Sequence, residues 1–330
     1  MSWQSALACW YLRRQFRPAT QRTEINVERA RALTAKRAWS PKVPAGWRLR
    51  EQYGNGETLR GEWFEPLSDN RGKNDGSGNS AMADAPSTPT ILYLHGGGYY
   101  FCSPSSHRAL VFGLATRSRA SAFSLDYRLA PEARFPAALD DALAAYRQLL
   151  ASGIPAASIV ISGDSAGGGL ALATLVALRD AGDSLPAGAV LFSPWTDLGA
   201  SGASIRTNDG ADPMFSGPAI GRAAKLYLGD TPATHPYASP VYADLHGLPP
   251  LLIQAGSTEV LLDDSRRVAE NARTEGVLVD LQVWPNMPHV WQIFTPFIPE
   301  ARRALDDAAG FVRKVTSPRS AQPSSAMSMV

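Results

Sequence analysis

Ser158-Ile159-Val160-Ile161-Ser162-Gly163-Asp164-Ser165-Ala166-Gly167-Gly168-Gly169 is the stretch on which the fold of this 330-residue chain turns. Apolar β-branched residues run to Ser162, small residues follow, and a pattern with helical spacing opens at Ala166. Strand, sharp turn and helix are the expectation, with a G-x-S-x-G spacing that puts Ser165 on the turn. Small neighbours are required there because the backbone is strained. A second glycine-rich segment, His95-Gly96-Gly97-Gly98, also follows an apolar run and would offer backbone N–H groups to an oxyanion. The two together point to acyl transfer.

Working outward, strand patterns fall at 90–94, 122–125, 158–162, 189–192, 251–254 and 280–284, with helical patterns between most of them, notably at 136–150 and 166–180. This alternation predicts an α/β fold with a mainly parallel sheet and helices on both faces. Ligands then bind beyond the carboxyl ends of the strands, where both glycine motifs lie. Ahead of this region, 48–53 and 58–64 read as an antiparallel hairpin, and 3–16 and 26–38 as helices. The first helix is amphipathic, with Arg13, Arg14 and Arg17 at its end, and a membrane-surface helix is the alternative reading. Segment 68–89 and the tail from about 316 to 330, rich in Gly, Ser, Pro and Ala, lack the apolar content to order themselves. The expected organisation is 1–45 as N-terminal helices, 46–315 as the catalytic domain and 316–330 as a tail.

Net charge is +2, with 45% hydrophobic and 19% charged residues, which argues against a nucleic-acid partner. The two cysteines, Cys9 and Cys102, have no metal-ligand spacing, so neither a disulfide framework nor a metal site is expected. No apolar run reaches the roughly 20 residues that cross a bilayer. No basic leader precedes a continuous apolar stretch, so a cytoplasmic location is the expectation.

Ser165 needs a base, because a free serine hydroxyl is a poor nucleophile near neutral pH. Of five histidines, His95 belongs to the glycine loop, His107 opens the next helix, and His235 and His246 sit in proline-rich connections. His289 follows the last strand and completes the order serine, acid, histidine. The acid is expected just past strand 251–254, where Glu259 stands, with Asp263 the main alternative and Asp197 a more distant one. Gly96, Gly97, Gly98 and Ala166 are the expected oxyanion donors, and Asp164 is expected to be structural.

These segments, with Asp126-Tyr127-Arg128-Leu129-Ala130-Pro131-Glu132, Phe135-Pro136-Ala137-Ala138, Ser193-Pro194-Trp195 and Met287-Pro288-His289, resemble the hormone-sensitive-lipase-like branch of the α/β-hydrolases, the bacterial family IV esterases. The resemblance spans about residues 90–313. It implies Ser165, Glu259 and His289 as a triad, with Gly97, Gly98 and Ala166 donating to the oxyanion. Many relatives carry aspartate in a D-x-L-x-D segment where this chain has Glu259-Val260-Leu261-Leu262-Asp263, so Asp263 stays open as the acid. A cap is also implied, built from the N-terminal helices and a helical insertion at 203–228, within about 200–230. Trp3, Trp10, Tyr99, Met214, Phe215 and Tyr227 are its candidate pocket residues, core packing being the competing reading for each. The expected activity is cofactor-free hydrolysis of short- or medium-chain acyl esters, small acetylated compounds or lactones. An amidase, formamidase or peptidase on the same residues is the alternative, and a non-catalytic small-molecule receptor a further one. A small ester is the expected partner, without stable membrane insertion, and a homodimer is left open.

Overall fold

The computed structural model describes residues 1–37, 41–54, 59–67 and 88–317. Residues 68–87 of the expected 68–89 insertion, residues 55–58 of the first hairpin and the tail beyond 317 lie outside them. The strands are β1 (Trp47–Gln52), β2 (Gly61–Pro66), β3 (Thr90–Leu94), β4 (Ser121–Leu125), β5 (Ile159–Asp164), β6 (Gly188–Phe192), β7 (Leu251–Gly256) and β8 (Val279–Trp284). They form one sheet in the order β1-β2-β4-β3-β5-β6-β7-β8. β1 pairs antiparallel with β2 and β2 with β4, while every later pairing is parallel.

The helices are α1 (Trp3–Gln15), α2 (Arg17–Thr20), α3 (Val27–Arg37), α4 (Pro104–Ser118), α5 (Ala137–Ala151), α6 (Ala166–Asp180), α7 (Ser204–Thr207), α8 (Gly217–Leu228), α9 (Leu262–Thr274) and α10 (Pro299–Thr316). Side chains alternate across the central strands. Leu92, Leu94, Ile161, Leu191 and Ile253 enter an apolar cluster with Tyr146 of α5, Leu170 of α6 and Val268 of α9. Ile91, Tyr93, Val160, Val190 and Leu252 enter another with Leu110 and Leu114 of α4 and Leu305 and Val312 of α10. Strands buried on both faces carry apolar residues at every position, which is why they read as continuous runs. No helix among the described residues is long and apolar enough to cross a membrane.

The expected helix over 203–228 is instead two, α7 and α8, around an irregular 208–216 segment. Pro213 cannot continue a helix, and the Asp212 carboxylate accepts the N–H groups of Met214 at 2.7 Å and Phe215 at 3.0 Å. The N-terminal helices close on this segment. Arg13 donates to the carbonyls of Gly210 and Ala211 at 3.0 and 2.9 Å, and Arg17 to those of Asp212, at 2.7 Å, and Phe215. Glu300 of α10 holds the start of α1, accepting from the Ser2 hydroxyl and the Ser5 hydroxyl at 2.8 Å each.

Candidate active site

His95, Ser165, Ser193, Glu259 and His289 all follow the carboxyl ends of strands β3, β5, β6, β7 and β8. Ser165 sits at φ 53° and ψ −122° between β5 and α6. A non-glycine residue there is costly, and the neighbouring backbone holds it: its N–H donates to the Phe192 carbonyl at 2.9 Å, and its carbonyl accepts from Trp195 at 2.8 Å. Two residues on either side, only glycine fits. A Cβ on Gly163 would run into the Gly167 carbonyl, and one on Gly167 into the carbonyls of Leu94 and His95.

His289 is buried, and its Nδ1 lies 2.7 Å from Glu259 Oε2. Its Nε2 is buried with no hydrogen-bond partner among the described residues. Glu259 is fully buried, its Oε1 accepting the Ser193 hydroxyl at 2.7 Å and the N–H of Gly256. Ser193 Oγ in turn accepts the Val290 N–H at 3.1 Å, so one hydroxyl ties the carboxylate to the residue after the imidazole. Asp263 lies elsewhere, accepting from the Ser204 N–H at 2.8 Å, and Asp197 pairs with Arg267 at 2.7 Å. Neither is brought to His289.

Burial on its own would lower the His289 pKa. The charge of Glu259 and its hydrogen bond, then Asp212 and Asp164, outweigh burial and hold it above the ordinary histidine value. Phe215 completes the surroundings, its ring edge-on to His289 at 5.0 Å between centroids and 78° between planes.

Asp164 accepts the Tyr93 hydroxyl at 2.7 Å and the Gly96 N–H at 3.0 Å, with His107 Nε2 at 3.2 Å. It therefore anchors the glycine loop to the residue before Ser165. This corrects one expectation: the Gly96 N–H is occupied by Asp164 and cannot also face an oxyanion. The N–H groups of Gly97 and Gly98 have no acceptor among the described residues, and the φ of 117° at Gly97 is one that glycine alone adopts readily. Burial, then the neighbouring His107, lower the His95 pKa to about 3, so this imidazole is neutral and shapes the loop. Its Nδ1 lies 2.7 Å from the Gly96 carbonyl, and its ring stacks on Tyr127 at 4.3 Å.

The candidate pocket residues divide. Tyr99 and Tyr227 are buried and stacked on each other at 3.8 Å, while Met214 and Phe215 are half-buried, Phe215 against His289. Trp3 and Trp10 are instead 72% and 54% exposed on the outer side of α1, so they line no enclosed pocket. Sequence reading gave no role to Ser193 or Asp212. Asp212 is buried, and its Oδ2 accepts the N–H of Val260, next to Glu259, at 2.9 Å. Among the described residues no cluster of His, Cys, Asp and Glu has the arrangement to hold a metal ion.

A mostly parallel sheet with a serine at its strand–helix elbow and an imidazole–carboxylate pair beyond later strands defines an α/β-hydrolase. A family model described as alpha/beta hydrolase fold matches residues 91–293. An acetyl-hydrolase of Streptomyces hygroscopicus is 49% identical over 227 residues, 69% of this chain and 76% of that protein. An esterase of Acinetobacter venetianus is 40% identical over 235 residues, 71% of this chain and 78% of that one. The crystal structure of an esterase from the bacterial hormone-sensitive lipase family, 38% identical, superposes with a TM-score of 0.83 over 96% of this chain and 99% of that chain. The chain belongs to the hormone-sensitive-lipase-like, family IV, esterases, and it is a carboxylic-ester hydrolase. The amidase, peptidase and receptor alternatives are not favoured.

Proposed function

We propose that Ser165 is the nucleophile, His289 the general base and Glu259 the residue that orients it, acting in the cytoplasm on short- or medium-chain acyl esters, small acetylated compounds or lactones. The observation that carries this reading is His289 itself. Its Nδ1 is held by Glu259 at 2.7 Å while its buried Nε2 has no partner among the described residues, leaving that nitrogen to take the serine proton.

In the acylation step the Ser165 oxygen bonds to the ester carbon as its proton passes to His289 Nε2. The resulting oxyanion is met by the N–H groups of Gly97, Gly98 and Ala166. Collapse breaks the carbon–alkoxy bond, and His289 returns the proton to the leaving alcohol. Water then attacks the acyl-enzyme with His289 again as base, releasing the acid and restoring Ser165. The N-terminal helices and segment 203–228 form the cap over this site, a reading supported by the Arg13 and Arg17 bonds to 210–215 and by Phe215 against His289. Likeness to a protein named acetyl-hydrolase supports small acyl groups as substrates, and two free cysteines suit a reducing compartment.

Ser165→Ala is expected to remove p-nitrophenyl butyrate turnover with the fold intact by circular dichroism; retained turnover sinks the assignment. In the same assay Glu259→Gln is expected to lower kcat by orders of magnitude and Asp263→Asn to leave it within a few-fold. The reverse result would transfer the acid role to Asp263.

A further inference from the structure

Helix α1 is mounted with its apolar stripe facing away from the protein. Trp3, Leu7 and Trp10 recur at the spacing of one helix face, and they are 72%, 55% and 54% exposed. Met1 and Tyr11 are also exposed, at 63% and 46%. The opposite face makes the attachment, and it does so largely with polar groups: Ser2 and Ser5 bond Glu300, and only Ser5 and Leu12 of the helix are buried. A surface helix of a globular protein ordinarily turns its apolar stripe inward. Here two tryptophans and a leucine on one helix face are left in water, which marks an interaction surface.

The charge around the stripe selects its partner. Residues 1–23 contain Arg13, Arg14, Arg17 and Arg22 and no Asp or Glu. Arg17 is buried against segment 209–215, whereas Arg13, Arg14 and Arg22 are exposed. Arg14 continues the stripe by one turn, its guanidinium lying 5.2 Å over the Trp10 ring, so apolar and cationic groups share one face. A second copy of the chain is a poor occupant. A two-fold pairing of stripe on stripe sets two cationic helices on each other, with no carboxylate in either segment to meet the arginines.

We infer that α1 is a docking helix for an anionic lipid surface, lying in the plane of the interface with Trp3, Leu7 and Trp10 at the acyl boundary and Arg14 and Arg22 against phosphate headgroups. Tryptophan is suited to that boundary, its ring apolar and its N–H able to meet water. The contact is reversible and spans nothing, because three inserted side chains and a few cations give peripheral binding only. It sets segment 209–216, clamped to α1 and α2 by Arg13 and Arg17, close to the lipid. An ester dissolved in or adsorbed on that surface then has a short path to the site.

The full chain is tested by co-sedimentation with phosphatidylglycerol vesicles and with phosphatidylcholine vesicles, with the oligomeric state followed by light scattering. Binding to the anionic vesicles is expected, weaker by at least about 10-fold on phosphatidylcholine and falling as salt screens the arginines. The triple variant Trp3→Ser, Leu7→Ser, Trp10→Ser is expected to keep its thermal unfolding midpoint, since these side chains are exposed, and to lose at least about 10-fold in vesicle partitioning. Arg14→Glu is expected to weaken anionic binding while leaving the weak phosphatidylcholine binding unchanged. The proposal is overturned if the native chain ignores both vesicles, if the folded triple variant binds as well as the native chain, or if the chain is a dimer that the triple variant splits.

Discussion

Ser165, at φ 53° and ψ −122°, is held in a region that costs a non-glycine residue of order 1–3 kcal/mol, and the bonds of its backbone to Phe192 and Trp195 keep it there. His289 is under a different constraint. Glu259, Asp212 and Asp164 surround it with negative charge, which against the effect of burial raises its pKa above the ordinary value of about 6.5. With the neutral imidazole as the proposed base, kcat/KM is expected to fall on the acid side with a midpoint above about 6.5. Folding responds in the opposite sense: stabilisation from the protonated pair is complete below the unfolded pKa and lost as pH rises through the folded one. Asp212→Asn removes one charge while keeping an acceptor for the N–H groups of Met214 and Phe215, and is expected to move the acid limb to lower pH. An unmoved limb would mean that the Asp212 charge does not reach the imidazole. Ser165, His289 and Glu259 were visible in the sequence because each stands at a characteristic place after a strand. Asp212 was not, since its role rests on backbone donors at Met214, Phe215 and Val260 that only folding brings to it.

Elements were legible to within a few residues wherever burial was complete. The strands Thr90–Leu94 and Leu251–Gly256 are buried at every position, and the helix Ala166–Asp180 coincides with its expected range. The irregular segment between α7 and α8 was not, because its shape depends on a carboxylate folding back on its own chain. The glycines that open α6 show what position does to one residue type. On Gly167 a Cβ would meet the carbonyls of Leu94 and His95, backbone that cannot rotate away, whereas on Gly221, inside α8, it would meet nothing within 4 Å. Gly167→Ala is therefore expected to destabilise by at least about 1–3 kcal/mol and to displace the His95–Gly98 loop, with turnover falling in step. Gly221→Ala, the same chemical change, is expected to stabilise by about 0.5–1 kcal/mol through helix propensity. Urea unfolding of the two variants checks both signs, and similar destabilisation by both would refute the steric argument.

At the scale of the molecule, the sheet brings five loops to one edge, while the long-range bonds of the first twenty residues decide how one wall of the site is held. That wall was only partly legible: the N-terminal helices could be read, but their contact with 209–216 is made largely through main-chain carbonyls, which carry no sequence signal. Arg13 and Arg17 donate to carbonyls at 210–212, Arg222 donates to the Thr20 carbonyl at 2.6 Å, and the Ser216 hydroxyl does so at 3.0 Å. Phe16 meets Phe215 edge-on at 5.8 Å, and Phe215 meets His289, so α1 and α2 reach the base through one ring. The two large apolar clusters on either face of the sheet contain no residue from 1–22. Deleting residues 1–22 is therefore expected to leave the sheet and its helices folded, with far-ultraviolet circular dichroism reduced only by the lost helix. Kinetics are expected to separate the wall from the chemistry. With Phe215 released, kcat/KM for p-nitrophenyl butyrate should drop by about 10- to 100-fold, since a small misplacement beside a reacting group costs that much. Most of the loss should appear in KM, because the Glu259–His289 pair and the glycine loop are bonded to strands and to Asp164 rather than to α1. A truncated chain with unchanged KM would show that 209–216 keeps its place without the helices that grip it.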